Sequence, residues 1–260
     1  MKKEMNMNEL ALLKPKLVRL KLSGILDSLE NRLQEAVKEK WNHTRFLLEL
    51  LTDEVDRRDH RQMGLRLSRS DLDPQKTLEN FDFSFNAKIH EATILEIASM
   101  QFVERKENVF FVGPSGVGKS HLAQAIGHEA CRKGYDVLFR RAHTLLQWIQ
   151  AGHGDGTYER RLNTVIRIPV LILDDFGLKS ISSEMQDSLY EIICERYEKL
   201  PIIITSNRDF GEWPSVFTNP LMASAAMDRL VHRGIKIVVE GKSYRLENFD
   251  RKTKRESKKP

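Results

Sequence analysis

The stretch "GPSGVGKS", Gly113 to Ser120, follows the apolar run "NVFFVG" (108–113) and opens an amphipathic run from Lys119 to Lys133. It matches G-x-x-x-x-G-K-[ST] at every position, and it lies where that pattern has meaning, between a predicted strand and a predicted helix. Gly113, Gly116 and Gly118 let the loop that runs through Pro114, Ser115 and Val117 curl without Cβ clashes, so successive backbone N–H groups can face one concavity. The helix starting at Lys119 adds its positive end, which favours an anion. Lys119 can reach the outer phosphates of a nucleoside triphosphate, and the Ser120 hydroxyl can ligate Mg²⁺. A glycine-rich turn could mimic part of this pattern, but it would not bring all eight residues with a strand before and a helix after.

Working outward, short β-rich runs alternate with helical ones: "DVLFRR" (136–141), helical stretches to 167, "PVLILDD" (169–175), a helix over roughly 183–199, "PIIITSN" (201–207), a helix over 221–233 and "IKIVVE" (235–240). Near-continuous apolar strands separated by helices predict an α/β fold, a parallel sheet covered on both faces. Ligands of such sheets bind beyond the carboxyl ends of the strands, so Asp174 should emerge beside the phosphate loop and help hold Mg²⁺ opposite Ser120. Asp175 is placed to polarise an attacking water, or else caps the turn that follows. Asn207 ends another strand, where its amide can meet both water and a terminal phosphate, or simply shape a turn. Arg229 and Arg233, four apart and so on one helical face, are either surface ion-pair partners or cations for a triphosphate.

The remaining 107 or so residues ahead of that run read differently. Residues 8–70 are poor in Gly and Pro, with Leu10, Leu13, Leu17 and Leu20, then Leu22, Ile25, Leu26, Leu29 and Leu33, then Phe46, Leu47, Leu50, Leu51 and Val55 at helical spacing. A small helical domain over 1–75 is expected, with Pro74 marking the hinge to a second domain over 76–250. Within the helices, Asp53–Arg57 and Glu54–Arg58 are spaced as i,i+4 pairs on a solvated face. Net charge is +5 with 42 basic against 37 acidic residues, a mild lean towards an acidic partner. Part of that excess sits in "RKTKRESKKP" (251–260), an expected disordered basic tail. Cys131 and Cys194 form no CxxC and read as reduced core thiols. The eight histidines show no ligand spacing, and Trp41, Trp148 and Trp213 read as packing anchors. No apolar run approaches the ~20 residues that span a bilayer, and no cleavable leader is evident. The expected compartment is the cytoplasm.

Taken in order, "LKLSGILDSLENRLQEA", "TLENFDFSFN", "ENVFFVGPSGVGKSHLAQAIG", "LILDDFG", "YEIICERYEKLPIIITSN", "DFGEWPSVF", "AAMDRLVHRG" and "GKSYRLEN" make the chain resemble the IstB transposition-helper ATPases over nearly its whole length. These are AAA+ proteins related to the helicase loader DnaC and the initiator DnaA. The resemblance implies an AAA+ P-loop NTPase behind a small all-α domain, using ATP and Mg²⁺. It implies a slow ATPase, stimulated by DNA or transposase, that binds duplex DNA for an insertion-sequence or integron-like element and activates a DDE transposase. It makes Gly113–Ser120 the ATP loop, Asp174 the Mg²⁺ carboxylate and Asp175 the water-activating acid, where the wider superfamily usually has Glu. Asn207 becomes sensor 1, and Arg229, or less directly Arg233, a finger for a neighbouring subunit. About 27 residues follow Arg233, too few for a full lid domain.

The segment 140–167 falls where initiator-type relatives carry the helices that open a closed ring into a spiral. The resemblance therefore implies a head-to-tail homo-oligomer, spiral or ring-like, that tracks a duplex. Arg140, Arg141, Arg160, Arg161 and Lys179 become candidate phosphate contacts, each with an ordinary solvated charge as its alternative. A helicase loader and a small-molecule kinase are the competing functions. A loader would use the helical domain to grip a helicase, and a kinase would need an acceptor pocket rather than an arginine from a neighbour.

Overall fold

The computed structural model describes residues 2–86 and 89–247, with side chains from residue 9 onward; the basic tail lies outside the described residues. Three helices come first, α1 (Lys2–Arg19), α2 (Ser23–Lys38) and α3 (His43–Ser70). The chain divides into two compact units, Met1–Leu65 and Arg66–Pro260. The division falls inside α3, ahead of Pro74, because Leu67 and Leu72 pack into the core of the second unit.

In the first unit Leu17, Ile25, Leu29 and Leu50 form a small core bordered by Leu10, Leu22, Leu26, Leu33 and Phe46. Leu47, Leu51 and Val55 stay exposed, since a unit of only three helices buries one stripe of each. Gly24 lies so close to α3 that a Cβ there would sit 2.6 Å from Glu54 Cα. That approach lets the buried Glu54 carboxylate accept the Gly24 amide at 2.6 Å and the Ile25 amide at 3.3 Å, an acid on the free amides that begin α2. Glu54 also takes Arg58 Nε at 2.7 Å, as its spacing predicts. The expected Asp53–Arg57 pair does not form. Asp53 instead accepts both arms of the Arg32 fork, at 2.9 and 2.7 Å, and Arg57 turns to Asp27. A bidentate guanidinium from another helix outcompetes a single contact along one helix.

The second unit is α/β. It runs α4 (Glu91–Ala98), α5 (Gln101–Arg105), β1 (Val109–Val112), α6 (Lys119–Arg132), β2 (Val137–Arg141), α7 (Ala142–Asp155), α8 (Tyr158–Arg167), β3 (Val170–Phe176), α9 (Ser183–Arg196), β4 (Ile202–Ser206), a 3₁₀ turn over Phe210–Val216, α10 (Pro220–Val231) and β5 (Ile235–Val238). The five strands order as β2-β3-β4-β1-β5, every pair parallel. Alternate residues serve opposite faces. Phe110, Val112, Leu171, Leu173, Ile202 and Ile204 face the core shared with α7 to α10, whereas Val109, Phe111, Val170, Ile172 and Ile203 face the core shared with α6. Both faces are covered, so the strands read as continuous apolar runs.

Trp213 is fully buried against Phe110, Phe176 and Phe210 and anchors the first of these cores. Trp148 is not an anchor: it is 43% exposed beneath the Arg161 guanidinium. Among the described residues Cys131 is buried, its thiol pushed up to about 11 by burial, and Cys194 is half-buried. No helix among the described residues is long and apolar enough to cross a membrane.

One buried cation joins three elements. Arg196, at the end of α9, donates Nη1 to the carbonyls of Val165, Ile166 and Ile168 at 3.0, 2.9 and 2.7 Å. Its Nη2 reaches Pro201 O at 2.6 Å and Pro169 O at 3.4 Å. It thus satisfies the open carbonyls at the end of α8 and the entries to β3 and β4. Arg196→Met keeps the volume but orphans these carbonyls, so a loss on the order of 3 kcal/mol is expected. Urea unfolding followed by circular dichroism should show the midpoint fall accordingly; an unchanged midpoint would refute this role.

Candidate functional site: a phosphate loop facing two aspartates

Because β4 lies between β1 and β3, the loop after β1 opens beside the ends of both other strands. Gly118 ends that loop at φ +106° as the residue before α6. A Cβ there would press to 2.8 Å of the Phe81 ring, so both conformation and space call for glycine. No side chain caps α6, which leaves its first amides open to an anion.

The loop lines a cavity of about 410 Å³ together with Lys76, Asn80, Phe81, Phe85, Asn86, His121, Arg141, Asp174, Asp175, Asn207, Tyr244 and Arg245. That volume suits a nucleotide. The lining includes two aromatic pairs: Phe81 stands edge-on to His121, and Phe85 edge-on to Tyr244. Of the phosphate-loop residues predicted from sequence, Ser115, Gly116, Val117, Gly118, Lys119 and Ser120 line the cavity directly. Pro114 takes part through its carbonyl, which accepts Lys119 Nζ at 2.6 Å. Gly113 closes the strand end, its amide donating to Ser206 O at 3.2 Å.

Lys119 is 5% exposed, and its second bond runs to Asn207 Oδ1 at 2.6 Å. The phosphate lysine and the strand-end amide therefore hold each other. Asp174 is buried at the end of β3, in register with Arg141 on β2. Its Oδ1 accepts the Thr205 hydroxyl at 2.5 Å. Asp175 is half-buried, adopts φ +53°, and its Oδ2 lies 3.8 Å from Arg141 Nε. Burial pushes the Asp175 carboxyl up and Asp174 adds to the rise, while Arg141, Lys119 and Arg245 pull it back. A hydroxyl at Ser120 and a carboxylate at Asp174 form an all-oxygen donor set that fits a hard cation such as Mg²⁺. Among the described residues there is no cluster of His, Cys, Asp and Glu that would hold a resident metal.

The other predicted residues scatter. Arg229 is half-buried, donates Nη1 to Ala225 O at 2.8 Å and lies over the Tyr190 ring. Arg233 is exposed, 4.0 Å from Glu198. Asn108, just before β1, donates to Leu230 O at 2.9 Å, which puts the end of α10 at the sheet edge opposite the phosphate loop. Arg140 pairs with Asp71 at 2.6 Å, and Arg161 with Asp155 at 2.7 Å. Arg160 and Lys179 are exposed.

Sequence reading missed four contributors. Arg141, exposed and a candidate for nucleic acid, also stands at Asp175. Thr205 bonds both aspartates. Tyr244 and Arg245 arrive on a strap after β5, where the Tyr244 amide donates to Gly116 O at 3.0 Å. A Cβ on Gly116, at φ +85°, would run into Ser243 Oγ of the same strap. The "GKSYRLEN" motif marks this strap in the sequence, but nothing in its spacing says where it lands.

The family profile described as IstB-like ATP binding protein matches residues 15–253. An ATP-binding protein in an insertion sequence of Mycobacterium tuberculosis is 38% identical over 227 residues, 87% of this chain and 90% of that protein. The insertion sequence IS21 ATP-binding protein of Pseudomonas aeruginosa is 38% identical over 240 residues, 92% and 89% of the two chains. Among solved structures, DnaA of Aquifex aeolicus bound to AMPPCP is 26% identical with a TM-score of 0.56. That match covers 72% of this chain and 57% of the longer protein.

The buried lysine yields a pH test. Burial draws the Lys119 ammonium down to about 8, with Asp175 and Asp174 opposing and Arg245 assisting. Bound phosphates raise it again. Well below pH 8 the lysine is charged whether or not nucleotide is bound, so it adds no pH dependence. Above pH 8 the free site has lost a proton that the bound site retains, so affinity should fall by up to about tenfold per pH unit. Calorimetry at about pH 9 in two buffers of different ionisation enthalpy should show uptake of a fraction of a proton approaching one, and Lys119→Arg should abolish it.

Proposed function

The chain belongs to the family of IstB-like ATP binding proteins, and on that premise we propose that it is an ATP-hydrolysing transposition helper. It assembles head-to-tail on duplex target DNA and recruits or stimulates a DDE transposase. The insertion-sequence context of its relatives supports the transposase as partner. The observation that carries the assembly is the position of Arg229 and Arg233. Both lie at the sheet edge opposite their own phosphate loop, so neither can serve that loop within one chain. In a head-to-tail contact the same edge meets the loop of the next copy, and the repeat follows the axis of a duplex.

Within one site, the loop amides and Lys119 hold the triphosphate, and Asn207 meets its terminal phosphate once Lys119 turns away from it. Asp175 orients the water and takes up its proton as the water oxygen bonds to the terminal phosphorus and the bond from that phosphorus to the bridging oxygen breaks, releasing ADP. Mg²⁺ between Ser120 and Asp174 would neutralise charge on the phosphates. Arg229 from the neighbour stabilises the charge of the transition state. Arg140, Arg141, Arg160 and Lys179, all exposed, are the candidates for DNA phosphates, Arg140 and Arg141 also facing Asp71 and Asp175.

Electron microscopy with ATP and a long duplex should show a periodic protein coat, and Lys119→Ala should remove it. Arg229→Ala should lower hydrolysis by on the order of 10³-fold while leaving nucleotide binding in place. A preference for single strands would favour a helicase loader instead. Full activity from a monomeric Arg229→Ala protein would favour a kinase-like enzyme.

A further inference from the structure

One fully buried hydroxyl touches both members of the acidic pair. Thr205 Oγ1 donates to Asp174 Oδ1 at 2.5 Å and accepts the Asp175 amide at 3.1 Å. The β3–β4 ladder explains why it is needed. Leu173 pairs with Ile204, and the next pair is Phe176 with Ser206, so two residues of β3 stand against the single Thr205 of β4. This is a β-bulge, and it frees a strand amide from the ladder. Asp174 and Asp175 would alternate to opposite faces in a regular strand. Here both line one cavity, with Asp175 in the left-handed region at φ +53°. The amide released by the bulge is the one that Thr205 captures. Just beyond, Ser206 Oγ closes the far side on Phe176 O at 2.8 Å.

We propose that Thr205 is the positioning residue of the site: its hydroxyl holds the bulge that divides the two carboxylates between two tasks. By donating to Asp174 Oδ1 it fixes the orientation in which that carboxylate would be presented to a cation, and by holding the Asp175 amide it fixes the backbone that carries the second carboxylate. Thr205 is two residues from Asn207 on the same strand end, so the amide that meets the terminal phosphate and the pair that serves the attack share one rigid support. This inference rests on the ATPase reading above for its turnover consequence, but not for its binding consequence.

The test compares Thr205→Val, which keeps the shape and loses both bonds, with Thr205→Ser, which keeps the hydroxyl. ATP affinity is measured with Mg²⁺ and with a chelator, alongside steady-state hydrolysis. In Thr205→Val the Mg²⁺-dependent gain in ATP affinity and kcat should each fall by about tenfold or more, with chelator-measured affinity unchanged. Thr205→Ser should restore both. Equal loss of affinity with and without Mg²⁺ would mean a general packing role and overturn the proposal, as would wild-type behaviour of Thr205→Val. A wild type that binds Mg²⁺-ATP without hydrolysing it overturns the ATPase reading alone, since the Mg²⁺-dependent affinity still decides the role of Thr205.

Discussion

The site depends on the position of β4, which pairs in parallel with β1 on one side and β3 on the other. Through that strand the loop after β1, the aspartates at the end of β3 and Asn207 after β4 are brought to one edge. The register is pinned by apolar side chains that alternate between two cores, so a slip of one residue would exchange the faces of a whole strand. Arg196 secures the opposite ends of β3 and β4 by gathering the carbonyls where both strands begin. Both ends are therefore held by side-chain hydrogen bonds: from one guanidinium at the base, and from the Thr205 and Ser206 hydroxyls around a bulge at the top.

The bulge changes the meaning of the second aspartate. Read along the sequence, Asp175 looks like a shortened glutamate. In the structure it occupies a left-handed backbone conformation, which short polar side chains such as Asp and Asn tolerate better than most residues. The residue type suits the backbone as well as the reach. Burial and Asp174 push its carboxyl up, and three cations restrain that rise. One of these, Arg141, comes from the edge strand β2, and another, Arg245, from the strap after β5. The charge balance of the pair is thus set by residues on both sides of the sheet and far apart in the chain.

Much of the fold was legible in the residues. The strand runs, the helix after the phosphate loop and the order of alternation all reflect local period and local propensity, and the structure places these elements as expected. The phosphate-loop residues were legible because their chemistry is written in eight consecutive positions. The misread residues share one feature, a partner distant in sequence. Asp53 turns from Arg57 to Arg32, Trp148 lies out under Arg161, and α3 continues into the second unit because Leu67 and Leu72 find a core there. Spacing along one helix cannot register a competitor on another.

By itself, then, the sequence determined an α/β unit with a phosphate loop, a helical segment ahead of it, and an acidic pair delivered to a strand end. Only the tertiary structure decided which residues complete that site. Arg141 faces Asp175, Tyr244 and Arg245 close over the loop, Lys119 rests on Asn207, and Thr205 takes both aspartates. The reason is geometric. A periodic pattern states which face of an element is apolar, but the meeting of side chains at one edge depends on strand order, register and a one-residue bulge, and these exist only once the sheet has formed.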